Sequence, residues 1–211
     1  MYVGRIVGVG RTPGGANAAL YRVSSRSFPN RQGVDLGGKL AIVPRPGHEA
    51  DIQKNPYIAY NCLRVANGWA IATNGSHTDP IVEKVALGVP LRDALASCLL
   101  AMDYEKDDYD TPRIAAAVPA DGDRGWLAIV RRDALVVKEI ALEPGRVSWL
   151  ATYEADDVRA EQEFALTATD AAGAARFVVD GGSFAGLVNP VTSAAAVAAD
   201  GGFELATHIV E

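Results

Sequence analysis

Residues 2–10 and 17–24 alternate or run apolar as two strands, joined by the turn Thr12-Pro13-Gly14-Gly15. Residues 39–44 read as a further short strand. Residues 58–65 and 68–74 read as a hairpin, with Asn67-Gly68 as the two-residue turn. The period then changes. Asp79-Pro80 marks a helix start, Gly88 its stop, and Pro90 the start of the next helix. Leu91, Ala94, Leu95, Cys98, Leu99 and Met102 form one apolar stripe at helical spacing. Residues 113–119, 124–132, 134–142 and 146–153 predict four strands. Residues 155–163 are charged and predict a helix. Residues 168–179 predict an Ala-rich helix ending at Gly181-Gly182, and 203–210 a last strand. The segment 194–199 is Ala-rich and ambiguous between helix and loop. Strands and helices arrive in blocks, so an α+β layered arrangement is expected rather than alternating βαβ units.

Length and composition narrow this further. At 211 residues and 49% hydrophobic, the chain can bury a sizeable core, and one domain over residues 1–211 is expected. The longest apolar stretch, 81–102, is broken by Glu83, Lys84, Pro90, Arg92 and Asp93, so no membrane span is expected. Met1-Tyr2-Val3-Gly4-Arg5 reads directly into a strand and not as a signal peptide. Cys62 and Cys98 match no zinc or redox spacing and read as small buried hydrophobes. A soluble, cytoplasmic protein is the default. A net charge of −6 argues against nucleic-acid binding. His48, His77 and His208 are too scattered to predict a metal. Gly8-Val9-Gly10 lacks dinucleotide-loop spacing, and Gly181-Gly182-Ser183-Phe184-Ala185 only partly matches a nucleophile elbow.

Four stretches carry candidate chemistry. Residues 103–113, Asp-Tyr-Glu-Lys-Asp-Asp-Tyr-Asp-Thr-Pro-Arg, hold five acids between a helix end and a buried strand. They read either as a solvated acidic loop or as a proton-transfer site at the edge of a core. Residues 21–31, Tyr-Arg-Val-Ser-Ser-Arg-Ser-Phe-Pro-Asn-Arg, have three Arg and no acid, a composition suited to an anion or to a basic surface loop. Residues 54–62 are rich in amides and phenols, suited to a heterocycle edge or to ordinary rim packing. Residues 73–79 join a strand end to a helix start, where amides favour anions but capping needs the same residues.

Taken in order, YRVSSRSFPNR (21–31), KNPYIAYNC (54–62), NGSHTDPI (74–81) and DYEKDDYDTPRIA (103–115) resemble the archaeal-type IMP cyclohydrolase family. The resemblance covers the first 115 residues; beyond residue 120 it is general. It implies the four-layer αββα sandwich of N-terminal nucleophile hydrolases. It departs from that superfamily at Met1-Tyr2, where an N-terminal Ser, Thr or Cys would be needed for covalent catalysis. The implied reaction is the last step of de novo purine synthesis. The carboxamide nitrogen of 5-formamidoimidazole-4-carboxamide ribotide attacks the formyl carbon, water leaves, and inosine monophosphate forms. No cofactor and no metal are expected, and a purine ribotide is the expected partner.

On that resemblance, Glu105 is expected to transfer protons, Tyr60 to act as an acid, and Lys106 to stabilise an oxyanion or orient Glu105. Arg22, Ser25, Arg26, Asn30 and Arg31 are expected at the phosphate or ribotide. Asn55, Asn74, His77, Asp108 and Arg113 complete the expected substrate site. For Asp107, Asp108 and Arg113 a structural ion network is the alternative. An amide-bond hydrolase of the same fold and a non-catalytic purine-nucleotide-binding protein remain open as rival functions. Oligomeric state, including a homo-oligomer, is left open.

Overall fold

In the computed structural model, which describes residues 1–159 and 161–211, two antiparallel sheets face one another. The first has the order β11-β10-β1-β2-β12-β13, built from Glu163–Ala165, Arg146–Ala151, Arg5–Arg11, Asn17–Ser24, Pro190–Ala199 and Gly202–Ile209. The second runs β3 to β9 in chain order: Arg31–Asp35, Lys39–Pro44, Tyr60–Ala66, Trp69–Thr73, Arg113–Pro119, Arg124–Arg131 and Ala134–Ala141. Alternation along each strand explains how they stack. Val7, Val9, Tyr21, Leu40, Ile42, Cys62, Ile114 and Val118 point between the sheets. Ile6, Ala18, Leu20, Trp149 and Ala195 point outward against α4 (Ala171–Asp180). Ile71, Ala115, Ala117 and Ala128 point outward from the second sheet against α2 (Thr78–Ala86) and α3 (Leu91–Met102). The layer order is therefore helix, sheet, sheet, helix pair. A short α1 (Asp51–Lys54) lies before β5. No helix among the described residues is long and apolar enough to cross a membrane.

The hairpin turn forms where expected. Asn67 (φ 46°) and Gly68 (φ 74°) are both left-handed, as a type I′ turn requires. Asn67 Nδ2 also donates to Val85 O at 2.7 Å, fastening the hairpin to α2.

Two expectations change, and one strand is added. Residues 155–163 form no helix in their described part; Ala160 lies outside the described residues. Gln162 Nε2 donates to Ala155 O, Arg159 N donates to Gln162 Oε1, and Trp149 N donates to Gln162 O. The segment's polar groups thus tie it to β10 instead of closing helical turns. The Ala-rich 194–199 is strand, inside β12 between β2 and β13. Residues 194–197 are buried on both faces, so sheet pairing overrides the helix preference of Ala. The added strand is β3, whose apolar alternation is interrupted by Gly33. A Cβ there would lie 3.0 Å from Thr207, so Gly is what lets β3 approach β13.

Candidate active site

One end of the cleft between the sheets collects ionisable side chains. Helix α3 stops at Met102, and Asp103 (φ 56°) turns the chain. Asp107 then folds the connector: its Oδ1 accepts from Tyr109 N and Thr111 N, and its Oδ2 from Thr111 Oγ1. Glu105 N donates to Thr111 O at 2.8 Å. This closed loop turns the Glu105 side chain inward, where it is buried with Oε1 3.3 Å from Arg113 Nη1. Burial pushes its pKa up to about 7, against the opposing pull of Arg5, Arg113 and Arg31. Lys106 goes the other way. It pairs with Asp103 at 2.6 Å and lies over the Tyr104 ring at the surface, so the expected contact with Glu105 is not made.

The turn after β6 backs onto this carboxyl. Asn74 Oδ1 accepts from Ile114 N at 2.8 Å and its Nδ2 donates to Pro112 O at 2.9 Å, extending the β6–β7 pairing. His77 is buried and its Nε2 donates to Ile114 O at 3.0 Å. That carbonyl can only accept, so the proton sits on Nε2 and Nδ1 is an acceptor with no partner among the described residues. Burial holds the His77 pKa down to about 3, with Arg113 adding to the effect. Asn74 and His77 thus brace the wall. Gly75 leaves the room: a Cβ there would sit 3.0 Å from Arg113 Nη1 and 3.2 Å from Glu105 Oε1.

From the facing strands come Tyr60 and Tyr21, whose hydroxyls lie 2.5 Å apart with rings edge-to-face. Arg5 lies among Tyr60, Tyr21, Glu105 and Tyr153. Burial opposes its charge, but these groups outweigh burial and raise its pKa. Arg31 is buried at the start of β3, its Nε donating to Phe28 O at 3.0 Å. Burial, then repulsion from Arg5, lowers its pKa. Arg5 Nε and Arg31 Nη1 are both buried without an acceptor among the described residues. Three guanidiniums (Arg5, Arg31, Arg113) thus surround one carboxyl. Two of them keep free donors, an arrangement that costs free energy unless an anionic ligand accepts from them. Just outside is a cavity of about 270 Å³ lined by Tyr2, Arg26, Ser27, Tyr109, Tyr153 and Glu154. Tyr153 OH hydrogen-bonds Thr111 Oγ1 at 2.8 Å, and Arg26 caps the Tyr2 ring at 3.9 Å.

The expected residues therefore divide. Tyr60, Arg31, Glu105 and Arg113 come together, with Asn74 and His77 behind them. Arg26 stands at the rim. Ser25 Oγ accepts from Phe28 N, Asn30 O accepts from Arg45 N, and Asn55 Oδ1 accepts from Tyr57 N, so these three shape loops. Asp108 is exposed. Arg22 is on the opposite face of β2. Its guanidinium donates to Val178, Val179, Phe184 and Leu187 carbonyls and to Ser24 Oγ, so every branch is engaged in fastening α4. Arg5, Tyr21, Tyr153 and Gly75 were missed. The signal for two of them is alternation: Arg5 shares the inward parity of Val7 and Val9, and Tyr21 that of Ala19 and Val23.

The comparisons with known proteins agree in kind. The family model described as "IMP cyclohydrolase-like protein" matches residues 2–202. A Methanosphaera stadtmanae protein named IMP cyclohydrolase is 47% identical over 196 residues, 93% of this chain and 94% of that one. Its namesake from Methanococcus maripaludis is 44% identical over 208 residues, 98% of this chain and all of that one. Another from Halobacterium salinarum is 52% identical over 172 residues, 82% of each. This chain belongs to the IMP cyclohydrolase-like protein family.

Proposed function

We propose that this chain is an IMP cyclohydrolase that closes the purine ring in the cleft between its two sheets, with residues 1–211 acting as one domain of the N-terminal nucleophile hydrolase type. The observation that carries the site assignment is the joint burial of Glu105, Tyr60, Arg31 and the Nε of Arg5, with free guanidinium donors beside a carboxyl of pKa about 7. The substrate holds nucleophile and electrophile in one molecule, so the site must select a reactive rotamer, move protons and stabilise an oxyanion. Glu105, as carboxylate, takes a proton from the carboxamide nitrogen as that nitrogen bonds to the formyl carbon. The negative charge gathers on the formyl oxygen, where Arg5 and Arg31 donate and Tyr60 supplies a proton. Loss of the formamide N–H then restores the C–N double bond while Glu105 returns its proton to the departing oxygen. The formamide proton restores Tyr60. One water leaves, carrying the equivalent of one proton from each substrate nitrogen. Arg113 orients Glu105. The ribose and phosphate extend into the tyrosine-lined cavity, toward Arg26 and Ser27.

The test is ultraviolet assay of the formylated ribotide. Wild type converts it to inosine monophosphate, and Glu105→Gln lowers kcat by about 10²–10⁴-fold with KM nearly kept. No conversion by wild type would exclude the activity, and wild-type kcat in Glu105→Gln would exclude the role of Glu105.

A further inference from the structure

Tyr21 enters none of the roles above, yet it is fully buried on the inward face of β2. Among the described residues, the hydrogen-bond partner of its hydroxyl is Tyr60 OH, at 2.5 Å. We propose that Tyr21 is a positioning residue for the ring closure: its hydroxyl donates to Tyr60 and so commits the Tyr60 proton to the substrate. This rests on the cyclohydrolase reading and on Tyr60 as the proton donor.

The argument is one of satisfiability. Two phenols 2.5 Å apart share one hydrogen bond, and one of the two protons must point elsewhere. The other groups acting on Tyr21 are Arg5 and Cys62. A guanidinium only donates, so Arg5 gives the Tyr21 proton no destination. The Cys62 thiol is directed to Leu40 O at 3.4 Å, and sulfur is a weak acceptor. If Tyr60 donated to Tyr21, the Tyr21 proton would be buried without an acceptor, which is the costly arrangement. If Tyr21 donates, both protons are served, because Tyr60 borders the cleft and can point its own proton at the ligand. Once Tyr60 has given that proton away, the short bond from Tyr21 and the charge of Arg5 stabilise the phenolate.

The test uses the full chain and three variants: Tyr21→Phe, Tyr60→Phe and the pair. Phe keeps the ring and its packing, and thermal melts of each variant check the fold. Tyr21→Phe should lower kcat by about 10–100-fold, the range expected for a hydrogen bond to a charge-developing group, with KM and the affinity for inosine monophosphate unchanged. In the Tyr60→Phe background the same change should cost almost nothing more, since its effect passes through Tyr60. Wild-type kcat in Tyr21→Phe, or a rise in KM alone, overturns the proposal. So do losses that multiply in the double variant. If Tyr21→Phe melts much lower, a kcat loss that persists at temperatures where it is folded supports the proposal, and recovery of wild-type kcat there overturns it. Failure of the reading beneath it looks different: no turnover by wild type, or full kcat in Tyr60→Phe.

Discussion

Glu105 and Lys106 are adjacent, and the structure treats them oppositely. One side chain is buried beside Arg113, and the other is paired with Asp103 in solvent. Lys106→Ala should therefore keep kcat within about 2-fold, since exposed pairs contribute little. Glu105 must be ionised to act as a base, so kcat should rise from the acid side through about pH 7. Arg113 holds the Glu105 pKa down, so Arg113→Met should move that limb to higher pH. A limb that stays in place or moves to lower pH would show that Arg113 does not act on this carboxyl. Gly75→Ala tests the geometry of the same corner. Its added methyl meets Arg113 and Glu105 at 3.0 and 3.2 Å, so kcat should fall by about ten-fold or more, as small misplacements do at a reacting centre.

Between elements, Arg22 is the plainest revision of what the Arg/Ser composition of 21–31 implied. One step along β2 moves a side chain from the inter-sheet cleft to the α4 face. Tyr21 faces in, and Arg22 faces out, under the C-terminal carbonyls of α4 and the turn after it. Those carbonyls form the negative end of the helix and offset a buried cation. Burial still lowers the Arg22 pKa to about 10, which leaves it charged at neutral pH. Arg22→Met would strand several carbonyls, so unfolding free energy should drop by about 3 kcal/mol or more in a urea titration. The affinity of the remaining folded protein for inosine monophosphate should be unchanged. Weakened affinity with full stability would return Arg22 to the phosphate site. Helix α3 and the Asp107-closed loop act together in the same sense, because they set the direction of Glu105.

For the whole molecule, two buried groups set opposite pH dependences on stability. The Glu105 pKa is about 7 folded against 4.5 for the free side chain, so its contribution is full below pH 4.5 and is lost as pH rises through 7. The His77 pKa is about 3 folded against 6.5 free, so its contribution is present above pH 6.5 and is lost as pH falls toward 3. Between pH 4.5 and 6.5 the two offset one another. Urea midpoints should change little in that window and fall below it. Glu105→Gln should remove the loss of stability above pH 6.5, and His77→Gln should lessen the fall in acid.

Most strands, helices α2 to α4 and the Asn-Gly turn were legible in the sequence, because each is written in local periodicity and turn chemistry: the 91–102 stripe, the alternation of 5–11, Asn67-Gly68. The four motif stretches likewise marked which loops gather at the site. Tertiary structure decided what local pattern cannot. Ala194–Ala199 is a strand because β2 and β13 flank it. Tyr21 and Arg5 face the cleft, and Arg22 and Lys106 do not, because the stacking of the two sheets and the closing of the loop decide which way each side chain is turned. The acidity of Glu105 follows from desolvation among three guanidiniums contributed by β1, β3 and β7, segments up to 108 positions apart in the chain from Arg5 to Arg113. Desolvation beside charges from distant segments has no period in a sequence; it exists only once the sheets have closed on each other.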